Sequence, residues 1–209
     1  MPVDLLASLF QAPLVLKAGH VRLEPLALEH TEELFAIGQE EEIWRWLYLA
    51  PPTTVEEMRA RVVAALSAKS SHQELPFVVV DNATSSVIGT TRYMGINQAH
   101  RTLEIEWTWY HHAFWRTAVN TECKYLLLRH AVESLKCVRV QLTTDLRNER
   151  SQRAMERLGV TREGILRKNR IVPKDGYHRS SVCYSIIDDQ WPEVKARIES
   201  LLRAHGKTA

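Results

Sequence analysis

Between Leu103 and Leu135 the chain changes its periodicity once, and that change limits the folds open to it. From Leu103 to Tyr110 the odd positions are Leu103, Ile105, Trp107 and Trp109; the even positions are Glu104, Glu106, Thr108 and Tyr110. A period of two predicts a strand with two unlike faces. A short loop, HHAFWRT, follows. The spacing then becomes helical, with Val119, Cys123, Leu126, Leu127, His130 and Ala131 recurring on one side. Another β-branched strand runs from Val138 to Thr144. The helix start presents unpaired N–H groups and partial positive charge, which suit a phosphate. An ordinary strand–helix connection shows the same pattern.

The flanking segments read as hairpins and amphipathic helices. Val21 and Leu23 alternate with Arg22 and Glu24 after a bend at Ala18-Gly19-His20. A helix is expected from Glu29 to Ile43, stopped by Pro51-Pro52. Thr53 or Thr54 caps the next helix, with Glu56 and Glu57 in its first turn and Met58, Val62, Ala65 and Leu66 on one face. Leu75–Val80 and Val87–Met94 pair around Asp81-Asn82-Ala83. A basic helix, Asn148–Leu158, ends at Gly159. Strands at Val160–Val172 and Tyr177–Ile187 flank a Pro173–Gly176 turn, and a last helix starts near Pro192. The order predicts an α+β fold, with a mixed and mostly antiparallel sheet flanked by helices. Residues 1–12 read as an N-terminal arm and 13–205 as one domain.

Composition excludes several classes. A net charge of +2 over 209 residues is too mild to make nucleic acid the main partner. No apolar run reaches the length of a membrane span. The apolar start carries Asp4 and lacks a basic leader, which favours an arm over a signal peptide. Cys123, Cys137 and Cys183 are widely spaced and odd in number, so reduced thiols in the cytoplasm are expected rather than disulfides or zinc. His111-His112 has no acidic residue at metal-ligand spacing, and no metal is expected. Trp44, Trp46 and Tyr48 are either core anchors or an acceptor wall.

Three ordered segments carry a family resemblance. Trp115–Cys123 (WRTAVNTEC) resembles the acyl-CoA loop of GNAT acetyltransferases, in the branch of the ribosomal-protein N-terminal (RimJ/RimL-like) enzymes. LEIEWTWY is similar to the preceding strand of that branch, and Asn148–Val160 to its N-x-x-S-x-R-x-x-x-x-L-G segment. The family's two loop glycines fall at Arg116 and Ala118, and Glu106 replaces a strand glycine. Arg116 loses the permissive backbone but adds a guanidinium able to pair with phosphate. Ala118 fits if its φ is negative.

The resemblance implies a GNAT fold with a splayed central parallel strand pair, and an N-acetyltransferase acting on a primary amine, a protein N-terminus or a small molecule. Acetyl-CoA would be the donor, its pantetheine pairing with the open edge of the Glu104–Tyr110 strand. Cofactor contacts are expected from Trp107, Trp109, Arg116, Thr117, Ala118, Val119, Asn120, Thr121, Asn148 and Arg153. The acceptor ammonium must lose a proton before it attacks. Glu104, which matches the family glutamate, and Glu106 are the candidate bases, and two near carboxylates raise one another's pKa. Ser151 either donates to the departing thiolate or caps its helix. A homodimer is a further expectation of the resemblance. The lost glycines motivate an alternative, a non-catalytic acyl-CoA-binding or regulatory module.

Overall fold

The computed structural model describes residues 5–205. Residues 1–4 of the expected arm lie outside that range; Leu6 and Leu9 are buried in the main core. Among the described residues eight strands form one sheet: β1 (Leu16–Lys17), β2 (Val21–Pro25), β3 (Leu75–Asp81), β4 (Val87–Asn97), β5 (Thr102–Tyr110), β6 (Arg139–Asp145), β7 (Thr161–Ile171) and β8 (His178–Ile187). Their spatial order is β1-β2-β3-β4-β5-β6-β8-β7. Neighbours run antiparallel except β5 and β6, which are parallel. The helices are α1 (Thr31–Ile37), α2 (Glu41–Trp44), α3 (Val55–Ser70), α4 (Val119–Arg129), α5 (Glu149–Leu158) and α6 (Trp191–His205). This is the α+β architecture expected from the sequence, a mixed and mostly antiparallel sheet with one parallel pair, flanked by helices.

Each face of the sheet buries its own core. One holds Leu126, Leu127 and Leu128 of α4 and Val194 and Ile198 of α6, against Leu103, Ile105, Val140 and Tyr184. The other joins Leu34, Trp44, Met58, Val62 and Ala65 to Val78, Val80 and Trp109. A fully buried leucine contributes roughly 1.5–3 kcal/mol over an exposed one, so the run in α4 anchors the crossover firmly.

Local chemistry explains the element ends. The Thr54 hydroxyl accepts from the Glu57 N–H at 3.2 Å, and the Glu57 carboxylate accepts from the Thr53 N–H at 2.7 Å, closing α3's first turn. Gly159, at φ +88°, ends α5 in the left-handed region. The helix expected over Glu29–Ile43 is broken instead. Its middle stops at Gly38, whose carbonyl accepts from Trp44 Nε1 at 2.7 Å, and α2 restarts beyond it. A local interaction with the indole replaces the helical bonds that periodicity alone would have continued.

The alternation expected along β5 holds only halfway. Arg92 pairs with Glu106 and Thr90 with Trp109, so Trp107 and Thr108 together oppose Thr91. This is a β-bulge, with Trp107 at φ +51°. Beyond it the faces exchange: Trp109 joins the α1–α3 core, whereas Tyr110 joins Leu103 and Ile105 in the α4 core. The ladder with β6 covers only Thr102–Glu104, while β6 stays paired with β8 as far as Asp145. From residue 105 onward, β5 and β6 diverge.

One buried carboxylate ties α4 to the N-terminal hairpin. Glu122 accepts from the backbone N–H of Gly19, His20 and Val21 at 3.0, 2.7 and 2.8 Å. Removing it leaves these donors without an acceptor. Glu122→Ala is expected to cost about 2–4 kcal/mol and lower the melting temperature by roughly 5–10 °C in a thermal scan, with Glu122→Gln intermediate.

Candidate active site

The divergence of β5 from β6 opens a cleft of about 520 Å³. Glu106, Trp107 and Trp109 from β5 line it, facing Thr143 and Thr144 of β6. Arg116, Thr117 and Asn120 line its α4 end. Asn148, Ser151 and Arg153 of α5 complete that side. Ala118, Val119 and Thr121, also expected at the cofactor, are buried beneath the α4 terminus, with Val119 in the core. The Thr121 hydroxyl accepts from Arg157 Nη2 at 3.3 Å.

The loop before α4 keeps the geometry that glycine would favour. Arg116 stands at φ +62°, in the left-handed region, at a cost of about 1–2 kcal/mol. Ala118 has φ −65° and is unstrained. Trp115 Nε1 donates to the Tyr110 carbonyl at 3.0 Å and Thr117 Oγ1 to that of Phe114 at 2.8 Å, which hold the loop's course. No side chain caps the helix from its N-cap position, Ala118. Arg150 stacks on Trp115, its guanidinium carbon 3.5 Å from the ring centroid. Burial holds Arg150 below the ordinary arginine value; Glu42 opposes this and Arg116 reinforces it. With Arg116, Arg150, Arg153 and Arg157 on its walls, this end of the cleft suits a polyanion. The helix terminus and the unpaired edge of β5 fit a phosphate-bearing, amide-rich arm such as phosphopantetheine.

The two candidate carboxylates sit differently. Glu106 is 8% exposed, lines the cleft and accepts from the Thr143 hydroxyl. Its other oxygen is 3.9 Å from Arg170 Nη1. Glu104 is outside the cleft lining and accepts from Gln141 Nε2 at 2.9 Å. Burial, then the Glu106 charge, raise the Glu104 pKa, with Arg170 acting against them. The Asn148 side-chain Oδ1 caps α5 by accepting from the Ser151 N–H at 3.1 Å. Ser151 is therefore the capped residue rather than the cap, and its side lines the cleft.

Several placements were left open by the sequence or were not marked in it. Trp46 and Tyr48 line the cleft whereas Trp44 is core, so the two readings of that segment apply to different residues. Glu40 lies 3.4 Å from His111 Nε2 and 4.0 Å from His112 Nδ1, an acidic neighbour that local spacing could not reveal. Among the described residues no cluster of three or more His, Cys, Asp and Glu side chains is placed to hold a metal ion. Arg150, Arg157, Arg179 and Lys124 also reach the cleft. The signal for Lys124 was a lysine between buried positions of an otherwise apolar stripe.

Lys124 Nζ donates to Thr108 Oγ1 at 2.8 Å. Burial lowers its pKa to about 8 against the attraction of Cys123 and Glu106. Between about pH 8 and its ordinary value of 10.5, the folded chain binds fewer protons at this site than the unfolded chain. This residue's contribution to stability therefore rises with pH across that window. The stability difference between Lys124→Met and the parent is expected to move in the parent's favour by about 3 kcal/mol between pH 7 and about pH 10.5. Burial also raises the Cys123 thiol to about 12, which acts in the opposite direction, but both proteins share it. Paired denaturant titrations at pH 7 and 10 read the difference.

Residues 20–161 match the family described as Acetyltransferase (GNAT) domain. A protein from T. thermophilus assigned as an acetyltransferase is 42% identical, with a TM-score of 0.83 over 91% of this chain and 98% of the other. A GCN5-related N-acetyltransferase from Brucella melitensis is 30% identical, with a TM-score of 0.84 over 90% and 85%. RimJ of Mycobacterium smegmatis, solved in complex with CoA-disulfide, shares the fold at 19% identity and a TM-score of 0.74, over 91% and 93%. A comparison with curated protein sequences gave no match. With the family match spanning more than half its length, the chain belongs to the GNAT acetyltransferase family.

Proposed function

We propose that this acetyltransferase moves an acetyl group from acetyl-CoA to a primary amine by direct attack within a ternary complex. The observation that carries the reading is the open edge of β5, running between the α4 terminus and a buried carboxylate, Glu106. The edge and the arginines of α4 and α5 accept the donor. Glu106 takes the proton from the acceptor ammonium. The freed lone pair forms the C–N bond and the C–S bond breaks, while the Ser151 hydroxyl gives its proton to the leaving thiolate and takes up the second proton that the nitrogen sheds on becoming an amide. Asn148, Trp107, Trp109 and Arg153 position the donor, while Glu104 acts on Glu106 through its charge. CoA in the Mycobacterium smegmatis RimJ structure supports the choice of donor, and the branch of ribosomal-protein N-terminal acetyltransferases remains part of the proposal.

The non-catalytic alternative drew on the missing glycines. Arg116 in the left-handed region removes much of its motive, since the loop's course survives the substitution. Three unpaired buried cysteines support a reducing cytoplasm. No helix of the described residues is long and apolar enough to cross a membrane. A homodimer is supported by Ile165, Leu166 and Ile171, exposed on edge strand β7.

Acetyl-CoA at a hundred times its dissociation constant is expected to stabilise the chain by about 2.7 kcal/mol in a thermal-shift titration. Thiol release across an amine panel then separates an enzyme from a binding module. Glu106→Gln is expected to lower kcat about 10²–10⁴-fold while keeping the acetyl-CoA shift, and Glu104→Gln to lower it by less than about tenfold. Equal losses in both variants would move the base away from Glu106.

A further inference from the structure

Arg179, near the start of β8, is 5% exposed and lines the cleft. A guanidinium carries five N–H donors. Among the described residues this one donates no hydrogen bond. Its Nε is buried and unpartnered, and Asp145 Oδ2 lies 4.0 Å away. Asp145 is already gripped by Arg147, through Nε at 3.0 Å and Nη2 at 2.9 Å. The other neighbour is the face of Tyr48, 4.7 Å from the guanidinium carbon. A charge buried without hydrogen bonds is costly, and polar groups in that position generally answer to a ligand.

A second observation points the same way. The residue directly opposite Arg179 on β7 is Arg170. Like charges facing across strands repel. Arg170 donates to the Tyr48 hydroxyl at 2.8 Å, so both cations share one ring. Around it, Arg147, Arg170 and Arg179 have Asp145 and Glu106 as the carboxylates within 4.0 Å, while Glu104 and Asp175 act on Arg170 and Arg147 from farther away; none of them hydrogen-bonds Arg179. Trp46, Tyr48 and Trp107 wall this part of the cleft. A planar two-oxygen anion matches the guanidinium fork.

We propose that Arg179, backed by Arg170, anchors a carboxylate carried by a reactant, so that the substrate class is an amine bearing a carboxylate, such as an acidic amino acid or a peptide with an acidic first residue. The inference rests on the acyl-transfer reading above. Tyr48 and Trp46 come from the segment between α2 and α3, not from the α4 loop or α5 that supply Arg116, Arg150, Arg153 and Arg157, which favours the acceptor over the donor as the source of this anion. The same guanidinium would receive the free carboxylate of a dicarboxylic acyl group, and the test separates the two sources.

The first arm compares glutamate with glutamine, and peptides beginning with each, using acetyl-CoA. The second compares succinyl-CoA with acetyl-CoA on one neutral amine. A kcat/KM preference for the carboxylate of about ten- to a hundredfold is expected in the first arm, and a preference confined to the second arm would overturn the assignment of the carboxylate to the amine. Arg179→Gln should bring the ratio toward one, and Arg179→Lys should keep part of it. Equal rates in both arms, or a preference that survives Arg179→Gln, overturn the proposal. The unliganded melting temperature supplies a readout that needs no turnover. An anchor awaiting its anion predicts that Arg179→Gln melts no lower than the parent. A fall of more than about 5 °C would make Arg179 a structural partner of Asp145 and also overturn it. Absence of turnover on every amine, with that melting result as expected, would count against the acyl-transfer reading and not the anchor.

Discussion

At Trp107 β5 spends two residues where β4 spends one, and much of the site depends on that mismatch. The bulge forces a tryptophan to φ +51°, a cost that the surroundings must offset. Arg92 lies over the indole at 5.0 Å and Tyr48 packs against it at 5.7 Å. Trp107 is thus held by partners from β4 and from the segment after α2. In return, the strand changes phase and sends Trp109 to the opposite core from Leu103 and Ile105, while continuing the departure from β6 that begins at residue 105. The cleft is the space this departure creates.

Helix α4 sets the other boundary. Its leucines bind it to the sheet, and Glu122 fastens the first hairpin to its first turn. Lys124 crosses to Thr108, next to the bulge, and Thr108 in turn meets Thr91 at 2.8 Å. A polar chain therefore runs from α4 through β5 to β4 inside a largely apolar layer. Such chains specify one arrangement, because any shift leaves a buried donor or acceptor unpaired.

Charge divides the cleft into two districts. Arginines of the α4 loop and α5 gather where the helix N-terminus adds its own partial positive charge. Arg147, Arg170 and Arg179 gather around Trp46 and Tyr48, with Asp145 and Glu106 as their carboxylates within 4.0 Å. The unpaired edge of β5 lines the same cleft. A reaction joining an anionic thioester to an amine could use both districts, one for each reactant.

What the sequence determined by itself was largely what is local or periodic. The order of elements, the Thr54 cap, the Gly159 stop and the α4 stripe all follow from interactions within a few residues or from one amphipathic face. Asn148 and Ser151 were legible through the family resemblance, whereas Glu106 stood out only through its alternation with Glu104, the residue that the resemblance favoured. Only the tertiary structure decided the phase of β5 beyond Trp107, because a bulge is defined by what β4 places opposite it. The break at Gly38 likewise depends on Trp44 folding back onto a carbonyl. The separate settings of Glu104 and Glu106, which alternation placed on one face, depend on Gln141 and Thr143 from β6. The isolation of Arg179 has the same origin: in the sequence it is one arginine among many, and only the packing shows that its nearest carboxylate already belongs to Arg147.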